Sequence, residues 1–169
     1  MPQKRDINGI TLIEFLITLA ILVIFAVIST PLFRTFLRNY RITGPAENIY
    51  AALQYARTEA IKQNRTIYVS FVTGDNWCYG LNATNACNCT IAGNCTLGHF
   101  QADVPQRSVL TMAGFAGNTI QFESTRAAAN ASGTIRLTEY GGTTYVEIAV
   151  GKLGGLKICS NNITRFGTC

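Results

Sequence analysis

The chain has 169 residues, a formal net charge of +5, six cysteines and one histidine. Hydrophobic residues make up 48% of the chain and charged residues only 14%. This composition is enough for one modest domain with its own core, and the mild positive charge does not by itself indicate a nucleic-acid partner. The sequence contains no nucleophile motif, no closely spaced pair of carboxylates and no phosphate-binding glycine loop. We therefore expect a protein that is not an enzyme and that binds no cofactor or metal.

A short basic leader precedes a long apolar segment. The leader, Met1–Gly9, contains Lys4 and Arg5 and has no apolar stretch of its own. A secretory signal peptide is cut at small residues that follow its apolar region, whereas the small residue at this junction, Gly9, precedes it. Cleavage after Gly9 would therefore leave the apolar segment on the mature protein, with Ile10 as its first residue.

The apolar segment contains one carboxylate. From Ile10 to Phe33 the only charged residue is Glu14. An ionisable side chain at the centre of a membrane helix costs roughly 2.5–3.5 kcal/mol, and less toward the helix end. At ~1.5 Å per residue the segment can cross a bilayer core of ~30 Å, which predicts a transmembrane helix over residues 10–37. A simple membrane anchor is the alternative, but an anchor would not require a carboxylate such as that of Glu14.

The run Gly9-Ile10-Thr11-Leu12-Ile13-Glu14-Phe15 resembles the N-terminal signal of type IV pilins and secretion pseudopilins. The resemblance implies cleavage after Gly9 by a prepilin peptidase, N-methylation of Ile10 and entry of the helix into a filament core. Pilins usually have phenylalanine where this chain has Ile10. In a filament, the Glu14 carboxylate of one subunit could pair with the N-terminal amine of a neighbour; in the alternative interpretation, Glu14 extends to the membrane surface.

The charge of the leader also predicts the location of the protein. By the positive-inside tendency, Lys4 and Arg5 place the leader in the cytoplasm. We therefore expect a single-pass protein of the bacterial inner membrane, with residues 38–169 forming a globular domain in the periplasm. After assembly the protein would belong to the pilus filament and reach the cell surface.

The helical pattern continues beyond the apolar segment. Gly44-Pro45 is a helix breaker, but a stripe of residues at three- to four-residue spacing follows, which Ile61 widens: Ala46, Ile49, Leu53, Ala56 and Ala60. We predict a broken or bent helix from Ile10 to Gln63, the second half of which packs on a sheet.

The rest of the chain has the alternation and the turn residues typical of strands. Six strands are predicted, at residues 66–72, 77–81, 119–122, 133–139, 143–150 and 155–159. Gly141-Gly142 is a hairpin signal between the fourth and the fifth. One long helix followed by a mainly antiparallel sheet is an α+β architecture.

The six cysteines favour disulfide bonds. An even number in an exported domain is typical of a disulfide framework, and the spacing lacks the paired C-x-x-C motifs of structural zinc sites. Cys159 and Cys169 are close enough in sequence to clip the C-terminal segment, residues 159–169, onto the last strand. The pairing of the other four, in the polar loop 78–95, is left open: Cys78, Cys87, Cys89 and Cys95.

Further stretches resemble the GspH/FimT/FimU group of minor pilins. They are residues 53–64, 77–81, 87–90 and 154–159. The resemblance implies a type IV pilin-like fold and a minor pilin that the prepilin peptidase processes. Its other implied partners are the inner membrane, other minor pilins and the major pilin. The protein would act at the filament tip or in the complex that initiates the filament. A pseudopilin of the type II secretion system is an alternative.

A second alternative is a minor pilin that binds double-stranded DNA for uptake in natural transformation. The candidate residues for DNA binding are Arg126, Arg136, Lys152, Lys157 and Arg165. The last three could converge if the C-terminal segment folds back through a bond between Cys159 and Cys169. DNA-binding members of the group have a Gly-Arg-x-Arg pattern where this chain has Gly154-Gly155-Leu156-Lys157, so an ordinary solvated tail is the other interpretation.

Overall fold

The computed structural model of the chain describes residues 11–101 and 108–169. The predicted leader, together with Gly9 and Ile10, lies outside the described residues. Contacts divide the chain into two compact units, Met1–Arg38 and Asn39–Cys169.

A single helix, α1, extends from Leu12 to Gln63. The helix continues through Gly44-Pro45, so of the two predicted forms, broken or bent, the broken one is wrong. Proline removes one backbone hydrogen bond from a helix. On either side of the dipeptide, however, Ile42 and Ala46 are fully buried, and tertiary packing of this kind overrides local propensity.

The N-terminal part of α1 is apolar and exposed. Its large hydrophobic side chains from Leu12 to Ile28 are 43–79% exposed. Within the described residues, no helix combines the length and the apolar character that crossing a membrane requires.

The strands of the described residues form two antiparallel four-stranded sheets. Their bounds are Ile67–Val72 (β1), Cys78–Asn82 (β2), Gly98–Gln101 (β3), Ser108–Ala113 (β4), Thr119–Phe122 (β5), Gly133–Glu139 (β6), Tyr145–Val150 (β7) and Leu156–Ser160 (β8). The strand order is β3-β2-β1-β5 in the first sheet and β4-β6-β7-β8 in the second. The α+β fold class is thus confirmed. The sequence pattern did not indicate β3 and β4, and it indicated one sheet where there are two.

The second half of α1 shares one core with both sheets. All five residues of the predicted stripe are fully buried, whereas Ile61, predicted to widen it, is 57% exposed. The stripe belongs to the same cluster as Val69 and Phe122 of the first sheet and Ile135 and Ile148 of the second. The strand alternation is also as predicted, because Val146, Ile148 and Val150 of β7 are buried and Tyr145, Glu147 and Ala149 are not.

Two disulfide bonds fold residues 83–97 over the face of the first sheet that is opposite the core. They join Cys78 to Cys89 and Cys87 to Cys95. The backbone N–H of Cys87 donates a hydrogen bond to Ser70 Oγ of β1 (3.1 Å). At the centre of this contact, a Cβ atom on Gly80 would overlap Cys95 Sγ. The loop can therefore reach the sheet only because residue 80 has no side chain.

Replacement of Gly80 by alanine should prevent the bond between Cys87 and Cys95. Loss of a disulfide of this kind lowers the free energy of unfolding by roughly 2–4 kcal/mol. Alkylation and mass spectrometry should find two free thiols in Gly80→Ala, and urea denaturation should show the loss of stability. Gly167→Ala is the matched control, because a Cβ atom at Gly167 has no neighbour within 4 Å. Three intact disulfides and unchanged stability in Gly80→Ala would contradict this account of the loop.

Candidate assembly and interaction sites

Glu14 lies in the first turn of α1. The backbone N–H of Glu14 donates a hydrogen bond to Thr11 Oγ1 (3.3 Å), so Thr11 is the N-cap. Thr11 and Glu14 have the spacing of a capping box, and a carboxylate in the first turn is also stabilised by the helix dipole. The role of Thr11 was not predicted, although the Thr-x-x-Glu spacing in the sequence indicates it.

The Glu14 side chain is open to a partner outside the chain. The residue is exposed. Among the described residues, the ion pairs involve other carboxylates. Within the part of the chain that the structure describes, Glu14 thus takes part in no ion pair.

Two of the predicted DNA-binding residues, Arg126 and Lys152, lie on adjacent segments. Arg126 belongs to the loop between β5 and β6, and Lys152 to the turn between β7 and β8. The backbone N–H of Ala129 donates a hydrogen bond to the Lys152 carbonyl oxygen (3.0 Å), and Gly154 packs tightly against the Ala127 carbonyl. Both basic side chains are exposed, and neither forms an ion pair within the described part of the chain.

The turn that contains Lys152 lies beside α1. Gly154 has a positive φ of 79°, and a Cβ atom built on it would lie 3.1 Å from Arg57 Nε of α1. Arg57 donates a hydrogen bond to Gln54 Oε1 (3.4 Å). Arg57 therefore lies beside the turn, and its buried Nε atom has no hydrogen-bond partner within the described residues. The sequence analysis did not assign it a role, and its place in the helix gave no specific signal.

Lys157 and Arg136 lie on the outer face of the second sheet. Lys157 pairs with Ala149 in the β7–β8 register and is exposed. The Arg136 guanidinium is 2.7 Å from Glu147 Oε2 and 4.4 Å from the centre of the Tyr145 ring. A polyanion would have to compete with Glu147 for Arg136, so Arg136 is less available than Lys157.

Arg165 lies away from the Lys152 turn. The C-terminal segment does fold back through a bond between Cys159 and Cys169, but Arg165 NH2 is 2.9 Å from Glu47 Oε1. Arg57 lies beside the turn. Glu47 comes before Arg57 in α1 and, at ~1.5 Å per residue, is ~15 Å from it along the helix axis. The structure therefore brings Arg126 and Lys152 together and places Arg165 elsewhere.

One carboxylate of α1 is almost fully buried. Glu59 is 6% exposed. Gln63 Nε2 donates a hydrogen bond to its Oε2 atom (2.6 Å) and Lys62 Nζ donates one to its Oε1 atom (3.0 Å). These two donors, Gln63 first, hold the pKa of Glu59 below its usual value.

A single group of metal-ligating residue types comes together within the described residues. A carboxylate oxygen of Glu147 and the sulfur atoms of Cys159 and Cys169 lie within 4.8 Å of one another. Both sulfur atoms belong to the disulfide bond. They therefore offer no thiolate, which is the form of cysteine that binds a metal.

Comparison with known families gives two matches. Residues 46–154 match the family described as type II transport protein GspH. The chain belongs to the GspH family. Residues 4–30 of this GspH-family protein match the prokaryotic N-terminal methylation motif, and this range contains Gly9, Ile10 and Glu14.

Comparison with solved structures supports the same fold. The crystal structure of the type IV minor pilin FimU of Pseudomonas aeruginosa matches with a TM-score of 0.52 and 19% sequence identity, covering 69% of this chain and 91% of FimU. No curated protein sequence matches the chain. The GspH-family protein is thus type IV pilin-like, with an N-methylation motif and a type IV pilin fold.

The environment of Glu59 predicts a pH dependence of stability. Because its pKa is lower in the folded than in the unfolded chain, Glu59 stabilises the fold above its unfolded pKa of about 4.3. This contribution is lost as the pH falls from about 5 through the folded pKa. The free energy of unfolding, measured by urea denaturation, should therefore fall more steeply below pH ~5 in the wild type than in Glu59→Gln. Parallel pH curves for the two proteins would contradict this assignment.

Proposed function

We propose that this protein is a minor pilin of a type IV pilus. A prepilin peptidase cuts the chain after Gly9, and Ile10 is then N-methylated. Before assembly it is a single-pass protein of the inner membrane, with residues 38–169 in the periplasm. It then joins other minor pilins and the major pilin, at the filament tip or in the initiation complex. The role is structural rather than catalytic.

The observation that carries the proposal is the apolar, exposed first part of α1. Its large hydrophobic side chains, from Leu12 to Ile28, are exposed within their own chain. An apolar surface of this extent indicates a membrane or protein partner. The bilayer would cover it before assembly, and the helices of neighbouring pilins would cover it in a filament.

Glu14 would determine how the helix enters that filament. After cleavage, Ile10 has a positively charged amine. A carboxylate or an amine alone among apolar helices carries a desolvation penalty, and a pair of opposite charges carries a smaller one. Pairing of Glu14 with the Ile10 amine of a neighbour would therefore favour one register of docking over the others.

Glu14→Val should separate processing from assembly. We expect the variant to be inserted and cleaved normally, because the apolar segment and Gly9 are unchanged. Its amount in sheared filaments should fall to about a tenth of the wild-type level or less, since the neighbouring amine has no partner. Immunoblots of sheared filaments and of membranes measure both quantities.

Glu14→Gln is the matched variant. Glutamine at this position keeps the capping-box side chain but has no charge, so the proposal predicts that it also assembles poorly. Wild-type incorporation of Glu14→Val would contradict a role for Glu14 in assembly. Normal incorporation of Glu14→Gln alone would contradict charge pairing and would attribute the effect to helix capping.

The family description supports a second assignment. A GspH-type protein of the type II secretion system would have the same N-terminal motif, and FimU, a pilus protein, has the same fold at low identity. A deletion strain distinguishes the two machines. Loss of surface pili with normal protein secretion supports the minor pilin, and the reverse result supports the secretion pseudopilin.

The exposed cations favour DNA capture as an additional activity. Arg126, Lys152 and Lys157 are exposed, and no ion pair within the described residues involves them. Cations of this kind can bind phosphates and release counterions, with log K falling by roughly 0.9 per contact for each unit of log salt concentration. Arg136 and Arg165 already have carboxylate partners and should contribute less.

Two double variants with equal charge change test DNA binding. The full-length protein in a neutral detergent should bind double-stranded DNA with a steep salt dependence. Lys152→Gln/Lys157→Gln should reduce the slope of log K against log salt by about 2, whereas Arg136→Gln/Arg165→Gln should reduce it less. Equal effects of the two pairs would contradict the assignment of the site to Lys152 and Lys157, and absence of binding at low salt would contradict DNA capture altogether.

A further inference from the structure

The disulfide bond between Cys159 and Cys169 has a carboxylate beside it. Glu147 of β7 is directly opposite Cys159 of β8 in the strand register. One of its carboxylate oxygens and both sulfur atoms of the bond lie within 4.8 Å of one another. Cys159 is 4% exposed, whereas Cys169 is open to solvent. A reagent in solution therefore reaches the bond from the side of Cys169, next to Glu147.

Two neighbours hold the Glu147 carboxylate in this place. Arg136 Nε and NH2 donate hydrogen bonds to Glu147 Oε2 (2.9 and 2.7 Å). The guanidinium group in turn lies 4.4 Å from the centre of the Tyr145 ring. The Glu147 side chain is only 15% exposed, so the carboxylate is fixed beside the sulfur atoms and solvent screens it incompletely.

The bond closes a segment that completes the core. We call residues 159–169 the C-terminal clip. Ile163 and Phe166 of the clip are buried in the main hydrophobic cluster, the backbone N–H of Ser160 donates a hydrogen bond to the Gly167 carbonyl oxygen (3.0 Å), and Arg165 pairs with Glu47. Opening the bond would loosen a segment that covers the core.

We infer that Glu147 protects the C-terminal clip from exchange with anionic thiols. In the exchange reaction a thiolate attacks Cys169 Sγ, a new S–S bond forms, and the bond to Cys159 breaks with the electron pair leaving on Cys159 as a thiolate. A second thiolate releases the first reagent as a disulfide and leaves Cys169 reduced. The Glu147 carboxylate repels the incoming thiolate and opposes the charge that develops on the buried Cys159 sulfur. The inference does not depend on the proposed function.

The other two disulfide bonds have no such neighbour in their own segment. Residues 76–98, which contain all four of their cysteines, include no Asp, Glu, Lys or Arg. Thiol attack on these bonds should therefore depend much less on the charge of the thiol. The three bonds of one molecule thus provide an internal comparison.

The test compares three thiols of different charge on the folded full-length protein in a neutral detergent. Apart from the thiolate sulfur, glutathione carries a net negative charge, β-mercaptoethanol carries no charge and cysteamine carries a positive charge. Reduction of each disulfide is followed by alkylation and peptide mass spectrometry, at equal thiolate concentrations and low salt. A unit charge about 5 Å away in water changes a rate by roughly three- to tenfold. In the wild type, cysteamine should therefore reduce the clip faster than glutathione by at least about threefold.

Glu147→Gln should remove this discrimination. Glutathione should then reduce the clip about three- to tenfold faster than in the wild type, because the carboxylate that repels it is gone. The rate with β-mercaptoethanol should change less, and cysteamine should lose its advantage. Glu123→Gln is the matched control, because it removes an exposed carboxylate of the loop after β5 that is not grouped with Cys159 and Cys169, and it should leave all three rates unchanged.

Two results would overturn the inference. One is a ratio of cysteamine to glutathione rates that is the same in the wild type and in Glu147→Gln. The other is a wild-type protein in which glutathione reduces the clip as fast as cysteamine, because there would then be no discrimination by charge for Glu147 to cause.

Discussion

The globular unit depends on one face of α1. Its buried residues lie under both sheets, and three of the five predicted stripe residues are alanines, whose small side chains let the strands approach the helix closely. The two sheets have separate strand orders, and the core that they share includes this helical face. Loss of the face would therefore remove the surface on which both sheets pack.

Several peripheral features are positioned by contacts with the same helix. The turn between β7 and β8 lies beside Arg57, and the C-terminal clip reaches Glu47 through Arg165. On the side of the first sheet, the Tyr79 hydroxyl donates a hydrogen bond to the carbonyl oxygen of Asn48 (3.3 Å), and burial raises the pKa of Tyr79 to about 12. The positions of the candidate binding residues and of the disulfide-bonded C-terminal clip therefore depend on where α1 lies within its unit. Disulfide bonds hold two further segments: a loop of uncharged residues covers the outer face of the first sheet, and the clip lies at the edge of the second.

The sequence predicted the features that arise from local periodicity and composition. The spacing of Leu53 and its neighbours indicated the buried stripe, the alternation in β7 indicated its two faces, and the even number of cysteines indicated disulfide bonds. It could not predict features that arise from the register between distant segments. The approach of Cys95 to Gly80 is one example, and the pairing of Arg165 with Glu47 is another.

Two errors have a physical cause. Gly44-Pro45 indicated a broken or bent helix, but the helix is not broken, because the burial of residues on both sides of the dipeptide outweighed the lost hydrogen bond. Strands β3 and β4 were missed because β3 contains Gly98 and only one large apolar side chain, Phe100, and because four of the six residues of β4 are exposed or half-buried. For the candidate sites, the sequence identified Glu14 and the exposed cations, but only the structure showed which cations already have carboxylate partners.

The most direct test of the account is the chemical identity of the N-terminus in assembled filaments. Filaments sheared from cells that produce the protein would be digested, and the N-terminal peptide of this chain would be sequenced by mass spectrometry. The account predicts a peptide that begins at Ile10 and carries an N-methyl group. A chain that still begins at Met1, or one that is cleaved but found only in the membrane and never in the filaments, would contradict it.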